Sequence, residues 1–158
     1  MADSAAADLV ALDTLFTDLV RVETRLYNAV TDRVKAEAGV AGGYFELLRH
    51  VRDHPDARVA DLAAAFAIGV GTTSKIVDRL EKQGWLERRP NPANRRSSLL
   101  ALTPAGESVV SRAEPVWRAA IQEILGGAVA ADELTALSAV LHAARSNLER
   151  RQLGLPAG

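Results

Sequence analysis

The chain has 158 residues, close to half of them hydrophobic, with few aromatics and a net charge of −1, enough for one domain or one domain with a helical extension. It has no cysteine, which excludes disulfides, cysteine-ligated zinc and thiol redox switching. No apolar run is long enough to span a bilayer, and Asp3 and Asp8 without a basic cluster do not make a signal peptide, so a soluble cytoplasmic protein is expected.

In chain order, residues 5–37 read as one long helix. Leu9, Leu12, Phe16, Leu19, Val20, Leu26, Val30 and Val34 recur at three- and four-residue spacing, and Gly39 is a suitable stop. Burial against another chain is the simplest account of so long a helix. Residues 43–53 form a second helix with Tyr44, Leu47, Leu48 and Val51 on one face. It ends at His54-Pro55, because the residue before proline leaves the helical region. Arg58-Val59 suits a minimal strand. Asp61–Ala67, a turn at Ile68-Gly69, and Val70–Gln83 make two helices joined by a tight turn, a helix-turn-helix pattern. Leu62, Ala63 and Phe66 of the first helix and Ile76, Val77 and Leu80 of the second point inward, and Gly84 fits a left-handed cap.

Trp85–Arg89 and Ser98–Leu102 are short strands around the loop Pro90–Ser97 and would form a wing, glued to the helices by Trp85, Leu86, Leu100 and Leu102. Thr103-Pro104 starts a helix, with a capping hydroxyl and then a proline in the first turn. It runs to Leu125 along Val109, Val110, Ala113, Trp117, Ala120, Ile121 and Ile124, and Pro115 should kink it. After Gly126-Gly127, residues 131–150 carry a seam of Leu134, Leu137, Leu141, Ala144 and Leu148 suited to interhelical packing. Residues 152–158 read as a frayed end. The fold class is therefore mainly α with a small β wing: a winged helix-turn-helix plus a helical dimerisation bundle. The division is 1–40 for an N-terminal dimerisation helix, 41–103 for the winged domain, 104–150 for C-terminal dimerisation helices and 151–158 for a tail.

The net charge alone does not point to nucleic acid, but its distribution does. From Gly69 to Ser97 stand Lys75, Arg79, Lys82, Arg88, Arg89, Arg95 and Arg96 against Asp78, Glu81 and Glu87, seven minus three, or +4. That leaves −5 for the rest of the chain. A basic face on an acidic body steers toward phosphates. Mixed charges alone describe any solvated surface; it is the helix, turn and wing around these that favours DNA. Thr72, Thr73 and Ser74 can bond base edges or phosphates, Gly71 permits close approach, and Lys75 reaches a guanine edge or a phosphate. Arg79 meets the backbone or, equally, an acid on its own helix.

The stretch LAAAFAIGVGTTSKIVDRLEKQGWLERRPNPANRRSSLLALTPAG, Leu62 to Gly106, resembles the winged helix-turn-helix of the MarR family of multiple-antibiotic-resistance regulators. The resemblance rests on V-D-R-L-E-x-x-G-x-x-x-R-R, then P-x-x-R-R, then L-T-x-x-G, in order. It implies a DNA-binding regulator whose terminal helices interdigitate across a two-fold axis. Two recognition helices would then stand roughly 34 Å apart over a pseudo-palindromic duplex. It further implies that Arg96 enters the minor groove, that Arg95 or Arg88 holds phosphates, and that the wing tip carries Asp-x-Arg. Here Asn94 takes the Asp position, so an amide stands where the resemblance implies an ion pair, and a less fixed tip is expected. A small anionic aromatic effector, bound between bundle and winged domain, is also implied. Tyr44, Arg49, His50 and Trp117 are the candidate lining residues, although Tyr44 and Trp117 lie on apolar stripes that suit a core.

Nothing marks an enzyme: no nucleophile elbow, no phosphate loop, no paired carboxylate motif. His50 and His54 are four apart, yet two histidines without a third ligand are usually surface residues, and no metal or cofactor is expected. The alternatives are a DNA-binding dimer without an effector and a winged-helix module that binds protein instead of DNA.

Overall fold

The computed structural model describes residues 2–156, with side chains from residue 8 onward; the last two residues of the predicted tail lie outside the described residues. Six helices and a two-stranded antiparallel sheet follow in the order α1 (Ala2–Ala38), α2 (Gly42–Asp53), α3 (Val59–Ala65), α4 (Val70–Lys82), β1 (Leu86–Pro90), β2 (Ser98–Leu102), α5 (Pro104–Leu125) and α6 (Ala131–Arg150). The core lies where α2, α3, α4 and the sheet meet the C-terminal end of α1 and the first half of α5. Phe45, Leu48, Leu62, Val77, Leu80, Leu86 and Val110 are sealed there.

The start of α3 departs from expectation. Val59 is helical rather than extended, and Arg58 is the capping residue. Asp61 is the reason. Its carboxylate accepts the Arg58 backbone N–H at 2.9 Å and an Arg58 guanidinium N–H at 2.8 Å, satisfying a donor that an early helix turn leaves orphaned. The expected third strand shrinks to one bond, Leu100 N–H donating to Ala57 O at 2.8 Å.

α3 also ends two residues early. The left-handed residue that reverses the chain is Ala67, with φ 50°, and Ile68 N–H closes on Ala63 O at 3.0 Å. Gly69, expected to make the turn, is extended (φ −59°, ψ 137°) and serves as the open N-cap of α4. The chain bends by 116° between the two helices, within the range of a helix-turn-helix. At the other end of α4, Gly84 takes φ 73°. Trp85 N–H then donates to Leu80 O at 3.1 Å and Gly84 N–H to Glu81 O at 2.9 Å, the paired bonds of a Schellman cap.

β1 pairs with β2 in the register Leu86↔Leu102 through Pro90↔Ser98, one residue later on β1 than the sequence suggests. Thr103 caps α5 as expected, its Oγ1 accepting Gly106 N–H at 3.1 Å. Gly106 is required by close approach, since a Cβ there would lie 1.9 Å from Trp85 O. α5 runs through Pro115 as one helix. Outside this core, Leu9, Val10, Leu12, Leu15 and Phe16 of α1 stand 60–68 % exposed, and α6 buries none of its residues. No single described helix is long and apolar enough to cross a membrane.

Candidate nucleic-acid interface

α4 has two faces because its apolar residues fall at three- and four-residue spacing. Thr73, Val77 and Leu80 are fully buried. Val70, Gly71, Thr72, Lys75, Asp78, Arg79 and Lys82 are exposed, and Ser74 is half-buried. Thr73 is a correction to the sequence reading. Its side chain faces the core, and its hydroxyl donates to Gly69 O at 3.1 Å, so it has no surface to offer a groove.

The acids of this region are not free. Arg88, on β1, reaches back across α4 and donates to Asp78 Oδ1 at 2.6 Å and to Glu81. Arg89 pairs with Glu87 at 2.7 Å. Arg88, expected among the phosphate holders, is instead the tie between wing and recognition helix. Lys75, Arg79, Lys82, Arg95 and Arg96 pair with no carboxylate among the described residues. Five cations on α4 and the wing are therefore unpaired among the described residues, and the helix-internal pair weighed for Arg79 does not form.

The wing tip is fixed through its backbone. Asn91 Oδ1 accepts Ala93 N–H at 3.0 Å, and Asn91 Nδ2 donates to Ser97 Oγ at 2.9 Å. Asn94 Oδ1 accepts Arg96 N–H at 3.0 Å. Two side-chain-to-backbone turns and one side-chain bond across the loop thus pin it without any ion pair. The expected looser tip is thus not what the geometry holds: the amide clamps the Arg96 main chain and leaves both Arg95 and Arg96 side chains exposed. Asn91, nearly buried, was missed in the sequence. The Asn91-Pro92 pair, a turn former two residues before a backbone N–H, was its signal.

The four candidate effector residues divide. Arg49 lies 5.1 Å over the Phe45 ring and 5.2 Å over Trp117, and the two rings are themselves 5.3 Å apart, a cation–π triangle at the junction of α2 and α5. Tyr44 and Trp117 are partly buried against the core. His50 points the other way, stacked on His54 at 3.9 Å and edge-on to Phe66 of α3. Burial, then the neighbouring His54, lowers its pKa. The same junction carries an ion-pair cluster. Arg52 donates to both Glu114 oxygens, at 2.9 and 3.2 Å, and Arg118 donates to Oε1 at 2.9 Å. The Arg52 bond above all holds the Glu114 carboxyl down at about 2, from 4.5, against the opposing effect of burial.

A bent helix pair packed on a two-stranded hairpin, with unpaired cations on the second helix and the hairpin tip, defines a winged helix-turn-helix protein carrying a long-helix extension. Residues 43–98 match the sequence profile of the MarR family. The multiple antibiotic resistance protein MarR of Salmonella typhimurium is 25 % identical over 133 residues, covering 80 % of this chain and 92 % of that protein. Sco3205, a MarR family transcriptional regulator from Streptomyces coelicolor solved in complex with DNA, superposes with a TM-score of 0.81 at 23 % identity over 91 % of both chains. A MarR mutant from E. coli complexed with operator DNA superposes at 0.74 with 22 % identity, over 87 % of this chain and 95 % of that one. Residues 43–98 are thus a MarR-family winged helix-turn-helix, the module of a family of transcriptional regulators.

Proposed function

We propose that the protein is a cytoplasmic homodimeric repressor that covers a pseudo-palindromic operator, each protomer reading one half-site. The observation that carries this is the segregation of charge. All three acids between Gly69 and Ser97 are tied to Arg88 and Arg89, while five cations on α4 and the wing have no carboxylate partner among the described residues. Gly71, Thr72, Ser74 and Lys75 meet the major groove, with Thr methyls against thymine. Arg79 meets the phosphate backbone. Arg95 holds a phosphate and Arg96 enters the minor groove, where it reads width and A·T character. Asn94 positions Arg96 through its backbone. The stretch of α1 from residue 8 to residue 24 and the whole of α6 supply the dimer interface, because their apolar residues find no cover within one chain.

Release by a small aromatic anion is the regulation this reading favours. Arg49 and Trp117 offer a cation beside an aromatic face at the junction of the winged domain with α5. His50 belongs to a separate cluster with His54 and Phe66 and drops out of the effector set. The protein-module alternative loses its best support, since the Asn94 substitution leaves the wing tip pinned. Duplex selected from random sequence and titrated against salt tests the reading. Each neutralised phosphate contributes about −0.9 to the slope of log affinity on log salt. A recovered palindrome with a steep slope is the expected result; no enrichment and a flat response would reject it. Salicylate, added to the complex, should release the parent protein and not Arg49→Ala.

A further inference from the structure

The C-terminal segment returns to the helix-turn-helix. Gln152 reverses the end of α6 with φ 51°, and Leu153 N–H closes on Leu148 O at 3.0 Å. Gly154, at φ 80°, turns the chain again. Leu155 and Pro156 then share a cleft with Ala63, Ile68, Gly69 and Thr72 at the start of α4. A Cβ built on Gly69 would stand 3.9 Å from Pro156 Cγ, ordinary van der Waals contact. The facing side of α3 and the turn after it is small and apolar, with Ala60, Ala64 and Ala65 on the helix and Ala67 in the turn all exposed. The seat is loose. Leu153 and Leu155 remain 45 % and 48 % exposed, and they line an open groove of about 570 Å³ together with Ala64, Ala65 and Ala67. A segment packed this loosely exchanges readily between seated and released states.

We propose that residues 153–156 are a strap that competes with DNA for the first turn of α4. The inference rests on the DNA-binding reading above. The N-terminal residues of a recognition helix are the ones that contact base edges. Leu155 and Pro156 bring no charge and no side-chain donor to a phosphate or a base, so the strap must leave before the helix can seat. A strap docked for about four-fifths of the time raises the apparent dissociation constant roughly fivefold, since only the open fraction binds. The strap continues directly from α6, so movement of α6 in the dimer bundle sets how often the recognition helix is open.

The chain has no cysteine of its own, which makes the test direct. Gly69→Cys combined with Pro156→Cys should form an intrachain disulfide on oxidation, running as a single chain on a non-reducing gel. The oxidised form should lose affinity for the selected duplex and regain it on reduction. A chain ending at Gln152 should bind that duplex about fivefold more tightly than the full chain. Two free thiols after oxidation, or a disulfide-linked dimer, would overturn the seating. Equal or weaker binding by the shortened chain would overturn the competition. If neither parent nor any variant binds DNA, the DNA reading fails, and the disulfide still decides where the strap sits.

Discussion

Arginines of one short stretch divide into two kinds by what they touch. Arg88 is held by Asp78 and Glu81 of α4, while Arg96 is anchored only through its backbone. The two substitutions should therefore fail differently. Arg96→Ala should leave the melting temperature unchanged, weaken binding most at A·T-rich flanks, and reduce the salt slope by about one per protomer. Arg88→Ala should lower thermal stability by about 1 kcal/mol, because it severs a two-carboxylate tie between wing and helix. A melting curve and a salt titration on each variant separate the roles; a large salt-slope change with no melting change for Arg88→Ala would contradict this assignment. The residue types were readable in the sequence, but the pairing was not. Arg88 lies ten residues from Asp78, and their meeting depends on the strand folding back along the helix. Thr73 shows the same limit in reverse: the helical period that buries Val77 and Leu80 also buries Thr73, four positions before Val77.

At the scale of elements, the helix boundaries set by proline, capping hydroxyls and glycine held. Asp53 before His54-Pro55, Thr103-Pro104 and Gly84 end or start helices where their backbone chemistry requires. The one misplaced turn is instructive, because the left-handed position fell on Ala67 rather than on a glycine. An L-residue with a Cβ pays about 1 kcal/mol for that conformation. Ala67→Gly should thus raise stability by up to about 0.6 kcal/mol after the roughly 0.4–1 kcal/mol of lost unfolded-state restriction is subtracted. Urea denaturation measures it, and a decrease would mean that the Ala67 methyl packs on the strap. The α2–α5 joint carries a second prediction. Glu114 is largely shielded from solvent and its folded pKa is about 2, below its ordinary 4.5. A depressed carboxylate contributes stability that is complete above 4.5 and is lost as pH falls toward 2. The amount is on the order of 2 kcal/mol. Glu114→Gln should flatten stability against pH across that window; an unchanged acid limb would place the acid sensitivity elsewhere.

On the proposed reading, the whole molecule is written for two chains. Sequence periodicity already showed α1 with more apolar surface than its own domain could cover, and the single chain leaves Phe16 at 66 % and Leu137 at 46 % exposed. What the sequence could not supply is which of these residues stay exposed in one chain, since exposure is a property of the folded chain. The core of the winged domain lies far along α1 from Phe16, beginning at Val30. A charge at Phe16 therefore leaves that core intact and acts on association alone. Burying one Phe side chain is worth about 1.5–3 kcal/mol, and a two-fold interface counts it twice. Phe16→Asp should then weaken self-association by about 3–6 kcal/mol, enough to turn a nanomolar dimer into a micromolar or weaker one. Sedimentation at low micromolar concentration should show a lighter species than the parent, while the winged domain melts as before. On DNA the same variant should lose the preference for two half-sites and show about half the parent's salt slope, because one protomer neutralises half the phosphates. If Phe16→Asp sediments with the parent and binds the palindrome equally well, the dimer axis does not pass through this end of α1, and the α6 seam at Leu137 and Leu141 becomes the place to cut.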